Sequence, residues 1–368
     1  MKILGDLHAG AGPSWLKDST PAPERGTVAY SIDGRSRTGD LYRPGRPSAG
    51  ALVLVPGAAA AGKDDPRLVA FATTLVRARF LVLVPDMAGL RQLRVSAADA
   101  REIADAVRWV SASAARPTDH PVGIAAISFA VGPAVLAALE PDVRGRVRFI
   151  LGVGAYYDLA AVITYVTTGS FKDRGSAEWR REQPNPYGAW LFALTNADRL
   201  PEAGDRALVS EMAGRMLADR AADVSDLAAR LGAGGRAVFE VIANRDPVRA
   251  PSLIARLPEP VRREITLLDL SGRDLAALGA RLILVHGRDD RVIPYGESIA
   301  LAAARPAGEA YTYIVDNLAH VDLSVGGLWD AFTLWRAVYR LLRERDRAAD
   351  ARRSVASDLD PGARRLLP

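Results

Sequence analysis

The chain has 368 residues, 49% of them apolar, and its 48 Lys and Arg exceed its 43 Asp and Glu for a net charge of +5. That describes one large domain, or a core with an insertion, with enough apolar residues to bury a core and too many for disorder as the main state. No cysteine is present, which excludes disulfides, thiolate metal sites and a cysteine nucleophile, and the scattered arginines alternate with acids, as in 343–347, which favours a solvated face over a nucleic-acid footprint.

In chain order, residues 1–25 carry Gly, Pro and Ser without a period and predict an N-terminal arm with no signal-peptide core. No run reaches the roughly 18 apolar residues of a membrane span, so a cytoplasmic protein is expected. Thr27 to Ile32 and Thr38 to Tyr42 are β-rich runs around Asp33-Gly34, a hairpin signal. Ala51 to Val55 predicts a buried strand ending at Pro56-Gly57. Asp64 to Arg79 then has helical periodicity, with Leu68, Phe71, Leu75 and Val76 on one face. Phe80 to Val84 is the next buried strand, Ser96 to Ser113 a helix, and Val122 to Ile127 another buried strand. A helix of small and apolar residues starts at Phe129, and Arg148 to Val153 is a further strand. The strands are apolar throughout and alternate with helices, which predicts a mostly parallel, doubly wound sheet.

From 158 to 278 the alternation stops. Helical patterns at Trp190–Leu194, Ala207–Leu231 and Arg236–Ile242 predict a helical cap inserted into a core of residues 26–157 and 279–347. The alternation resumes with Arg281 to Val285 (strand), Gly296 to Ala304 (helix), Tyr311 to Val315 (strand) and Leu328 to Arg343 (long amphipathic helix). Residues 348–368 predict a charged, frayed tail.

Ser128 sits between a buried strand and a buried helix. A tight strand-to-helix turn there pushes Oγ out at the carboxyl edge of a sheet, where a nucleophile belongs. After the strand at 282–285 comes His286-Gly287-Arg288-Asp289-Asp290-Arg291-Val292-Ile293-Pro294, and after the strand at 311–315 comes Asp316-Asn317-Leu318-Ala319-His320. The order is Ser, Asp, His, each beyond a strand's carboxyl end, where ligands bind in such sheets.

With Pro56-Gly57 after a strand, Ala126-Ile127-Ser128-Phe129-Ala130 at a strand–helix turn, His286-Gly-x-x-Asp290-x-x-Ile293-Pro294 and the late His320, the chain resembles the α/β-hydrolase superfamily over nearly its whole length. The family's turn is usually Gly-x-Ser-x-Gly; alanines stand at both glycine positions here, the smallest substitute available. The resemblance implies a triad of Ser128 as nucleophile, His320 as base and Asp290 as its orienting acid, with Asp289 the rival acid. Backbone N–H groups of Phe129 and Ala58, with Ala59 as the alternative, would form the oxyanion hole. Ala59, Tyr156, Tyr157 and Tyr165 are candidates to line the substrate pocket under the cap. The implied activity is a carboxylesterase acting on a small-molecule ester of medium, hydrophobic size through an acyl-enzyme, without cofactor or metal. Peptidase, thioesterase and acyltransferase activities stay open on the same triad, as do a non-catalytic ligand-binding protein and a homodimer.

The other candidates have plainer roles. His286 is expected to pack beneath the acid loop, His120 and His8 to be solvated, and Asp86 and Asp158 to cap turns. Gly57 to Lys63 matches a phosphate loop, but Asp64 stands where Ser or Thr would hold Mg²⁺. Gly152-Val-Gly154 lacks the third small residue of a dinucleotide fingerprint.

Overall fold

The computed structural model describes residues 2–113, 122–316, 318 and 328–359. Two short helices, α1 (Lys2–Ala9) and α2 (Trp15–Ser19), precede β1 (Glu24–Ile32), β2 (Arg35–Arg43), β3 (Gly50–Val55), α3 (Pro66–Arg77), β4 (Phe80–Pro85), α4 (Ala88–Arg91) and α5 (Asp99–Ala112). Then come β5 (Val122–Ile127), α6 (Val131–Leu139), β6 (Val147–Val153), α7 (Leu159–Thr168) and the two-residue strands β7 (Ser170–Phe171) and β8 (Arg180–Arg181). Six helices follow, α8 (Pro186–Ala197), α9 (Ala203–Ala218), α10 (Ser225–Ala228), α11 (Ala233–Ala243), α12 (Ala250–Ala255) and α13 (Glu259–Leu268). The chain returns to the sheet with β9 (Arg281–Gly287), α14 (Tyr295–Ala303), β10 (Ala310–Val315) and α15 (Leu328–Leu359).

Eight strands form one sheet in the order β1-β2-β4-β3-β5-β6-β9-β10. β1 pairs antiparallel with β2, and β2 with β4; every other pairing is parallel. Asp33 and Gly34 both adopt positive φ, 50° and 78°, as a two-residue type I′ hairpin turn requires. From β3 the chain steps outward to β4, then crosses back to β5 on β3's other side. That reversal leaves a crevice outside the carboxyl ends of β3 and β5.

Alternate strand residues feed two buried layers. Leu52, Leu54, Phe149, Ile283 and Val285 face α1, α3 and α15. Val53, Val55, Ile124, Ile150 and Leu284 face α5 and α6 in a layer that continues among α7–α13. The sheet is therefore covered on both faces, and its central strands read as unbroken apolar runs for that reason.

Four elements depart from the sequence reading. Residues 1–25 are not a loose arm. Ile3, Leu4 and Leu7 give α1 an apolar stripe that packs on α3 and α15. Buried Asp6 anchors it, accepting from Thr74 Oγ1 at 2.6 Å and from Ser14, and pairing with Lys17 at 3.0 Å. Burial works to raise the Asp6 pKa, but the hydrogen bonds from Ser14, Thr74 and Lys17 outweigh it and hold the carboxyl below its ordinary value. Residues 159–168 form a helix between the Asp158 cap, whose Oδ1 accepts from Ala161 N at 3.0 Å, and Gly169 at φ 73°. Leu159, Val162, Ile163 and Val166 fall at helical spacing and are buried, within a run whose β-branched residues equally suit a strand. The pattern at 207–231 is broken at Asp219, which leaves helical geometry at φ −138°. Finally, α15 runs on to Leu359, well into the stretch read as a frayed tail.

The helices between β6 and β9 are tied to the core at α5. Glu264 of α13 accepts from Ala97 N at 2.7 Å and Ser96 Oγ at 3.0 Å, and Arg199 pairs with it at 3.0 Å. Beside it Asp99, 5% exposed, accepts from Ser96 N at 2.8 Å. Burial, with Glu102 and Glu264 adding negative charge, pushes its pKa up to about 7. Between pH 3.8 and about 7 the folded state holds a proton that the unfolded chain has released, so this group's stabilisation is full below pH 3.8 and is lost as pH rises through about 7. The expected slope is about 1.4 kcal/mol for each tenfold difference in proton affinity. Urea midpoints measured between pH 4 and 8 should fall more steeply for the natural chain than for Asp99→Asn; parallel slopes would refute this.

Candidate active site

β5 ends in extended geometry at Ile127, and Ser128 then adopts φ 57° before a single 3-10 turn, Ser128–Ala130, opens into α6. A left-handed serine stores about 1–3 kcal/mol and persists only where its surroundings hold it. Here a buried central strand and a buried helix do so, with Ser128 itself 7% exposed. The two alanines are tolerated because the tightest approaches fall elsewhere. Ala126 pairs with Gly152 on β6. In the first turn of α6, a Cβ on Gly132 would lie 1.8 Å from the Tyr156 hydroxyl, which donates to the Leu268 carbonyl at 2.9 Å. The close approaches that a glycine usually relieves within the turn are met at Gly152 and Gly132 instead.

The acid loop follows β9. Asp290 is 3% exposed, and its Oδ1 accepts from Val292 N at 2.8 Å and Ile293 N at 3.0 Å. Its Oδ2 lies 3.3 Å from His286 Nε2. His286 is fully buried, with Nε2 2.9 Å from the Ile293 carbonyl and Nδ1 2.7 Å from Ser298 Oγ. A carbonyl only accepts, so Nε2 carries a proton. His286 packs beneath the acid loop, as its position in the sequence led one to expect.

Gly154, at φ 70°, brings the serine and the acid together. A Cβ there would be 3.6 Å from Asp290 Oδ2 and 3.8 Å from Ser128 Cα. Nothing in the sequence reading marked this glycine as a site residue; its only visible signal is its place just beyond β6. Asp289 turns the other way, accepting from Leu318 N at 3.2 Å. Leu318 stands two positions before His320, and both His320 and His120 lie outside the described residues.

Ser128 borders a cavity of about 500 Å³ together with Gly57, Ala58, Ala59, Ala60 and Phe129. The N–H of Phe129 is in the first turn of its helix and has no intrahelical acceptor. Of the four expected pocket residues, Ala59 lines this cavity and the three tyrosines do not. Tyr156 is wholly buried and borders a smaller, 60 Å³ hollow between α7, α8 and α13 that shares Phe129 and Leu191 with the first cavity. Tyr165 stacks edge-on with Phe171 inside the layer, and the Tyr157 backbone N–H bonds Glu297 at 2.9 Å. The tyrosines that follow β6 turn into packing between layers, on the face of the sheet opposite the deep part of the cavity.

The other sequence candidates have local explanations. Lys63 is paired with Asp40 at 3.1 Å and Asp64 at 3.0 Å, which engages the cation a phosphate loop would need. After Gly154 no helix begins until Leu159, so a dinucleotide turn is absent there. Asp86 pairs with Arg91 at 3.2 Å.

No family model and no curated protein sequence matches the chain. Solved structures do. A protein from Legionella pneumophila aligns with TM-score 0.55 and 15% identity over 90% of this chain and 91% of its own. The α/β hydrolase GrgF from Penicillium sp. sh18 gives TM-score 0.53 and 16% identity over 88% and 99%. The rice cell wall degrading esterase LipA from Xanthomonas oryzae gives 0.52 and 14% over 95% of each chain. At these identities the likeness is one of fold.

Proposed function

We propose that this chain, which has the α/β-hydrolase fold, is a serine hydrolase that cleaves carboxylic esters, with residues 158–278 as its cap. The observation that carries the reading is Ser128 in left-handed geometry at the β3/β5 crevice, on the rim of an apolar cavity, sharing the Gly154 contact point with Asp290. Strained backbone of this kind clusters at active sites, which supports the reading.

In the proposed reaction, Ser128 Oγ attacks the ester carbonyl while His320 takes its proton. The oxyanion is held by the N–H groups of Phe129 and Ala58, each worth roughly 3–4 kcal/mol to the transition state. The ester C–O bond breaks as His320 protonates the departing alcohol, and water attacks the acyl-serine by the reverse route. Asp290 holds the imidazole tautomer and stabilises its charged form. Its Oδ1 accepts from two backbone donors, which fixes the carboxylate within the loop. An ester is favoured over a polar peptide because, among the described residues, the charged side chains lining the cavity are Asp65 and Arg67, which pair with each other at 2.9 Å.

A fluorophosphonate should form one adduct per folded chain, located on Ser128 by peptide mass spectrometry. Folded protein that takes no label would favour the non-catalytic alternative and overturn this reading.

A further inference from the structure

The cavity at Ser128 meets the cap at α8. Only Tyr187 and Leu191 of α8 touch it. Its deeper walls belong to the layer on the other side of the sheet. Ile127, Val153 and Val285 of the sheet, Leu75 of α3, Ala337 of α15 and Leu4 of α1 line it there. Thr74, which also borders it, has its hydroxyl committed to Asp6 at 2.6 Å. A polar chain entering this space would lose its hydrogen bonds to water with nothing in exchange.

We propose that this channel is the acyl-chain site, and that the substrate is an ester of a linear, medium-to-long aliphatic acid. The proposal rests on the serine-hydrolase reading for its chemistry and on the cavity for its specificity. Its volume of about 500 Å³ lies within the roughly 300–1,000 Å³ of sites that enclose drug-sized ligands, room for an acyl chain of about ten carbons. The direction follows from the order of release. The alcohol departs first and leaves towards solvent, whereas the acyl group stays bonded to Oγ and can occupy the apolar space lined by buried Leu4 and Ala337. α1 is a structural wall of this site, held on α3 by the buried Asp6–Thr74 hydrogen bond.

The test compares p-nitrophenyl esters from acetate to palmitate. For the natural chain, kcat/KM should rise about fourfold per methylene, the ~0.8 kcal/mol of a buried CH₂, until the channel is full near decanoate. Ala337→Phe fills the channel from α15 and should lower decanoate turnover on the order of tenfold or more while butyrate stays within about twofold. Leu4→Phe repeats the test from α1, should the first variant lose its fold by circular dichroism. Decanoic acid binding to Ser128→Ala protein, measured by calorimetry, gives a readout that needs no catalysis; it should be present there and lost when Ala337→Phe is added. A flat chain-length profile, or equal loss on butyrate and decanoate, overturns the channel while leaving the serine hydrolase standing. Absence of turnover and of phosphonate adduct overturns the hydrolase, and decanoate binding then decides the channel alone: binding that survives Ala337→Phe refutes it.

Discussion

Ser128→Ala should lose ester turnover by a factor on the order of 10⁴–10⁶ in kcat, because the hydroxyl that forms the covalent intermediate is gone and the remaining machinery acts only as a unit. KM should change little, since the channel and the backbone donors are intact. The backbone makes a second, independent demand. At φ 57° any Cβ is crowded, and glycine relieves about 1–2 kcal/mol of that. Ser128→Gly should therefore unfold at higher urea than Ser128→Ala, with both variants equally inactive. A nucleophile explains that combination: position 128 gives up stability to present a hydroxyl. Were Ser128 a structural residue, alanine would leave activity in place, and steady-state assays would show turnover near that of the natural chain.

Asp290→Asn should reduce kcat by about 10⁴ and lower stability by about 1–3 kcal/mol, because two buried donors then face each other. The amide oxygen can still accept from Val292 N and Ile293 N, so the loop keeps its shape. The other end becomes an NH₂ facing the Nε2–H of His286, 3.3 Å away in the present structure, and can no longer orient a catalytic imidazole. Asp289→Asn should stay within a few-fold of the natural rate, because asparagine still offers the oxygen that Leu318 N uses. If the two variants exchange these outcomes, Asp289 is the acid and the assignment of Asp290 falls.

How much of this was legible in the sequence differs from element to element. The central strands were plain because both faces of a parallel sheet are buried, so Ala51 to Val55 and Val122 to Ile127 are apolar without alternation. The hairpin at Asp33-Gly34 was plain because few residues tolerate two successive positive φ values. α7 was hidden because its β-branched residues suit a strand as well as a helix, although Leu159, Val162, Ile163 and Val166 stand at helical spacing. α1 was hidden because a stripe of Ile3, Leu4 and Leu7 spans only two turns and is stable only against α3 and α15, elements separated from it by some sixty and three hundred positions of sequence.

The site divides in the same way. The place of Ser128 at a strand–helix joint, and the order Ser, Asp, His at successive strand ends, are properties of the chain read locally, since a turn and a strand end declare themselves within a few residues. Three matters were decided only by tertiary structure: the approach of Ser128 and Asp290 around Gly154, the turning of Asp289 towards Leu318, and the side of the sheet on which the cavity lies. Tyr156, Tyr157 and Tyr165 looked like pocket residues because they follow a strand end. Whether a side chain there meets solvent, a ligand or another helix depends on what packs across from it. For the cavity, what packs across is a helix from the first nine residues and another beginning at Leu328, and no local pattern in the sequence records that meeting.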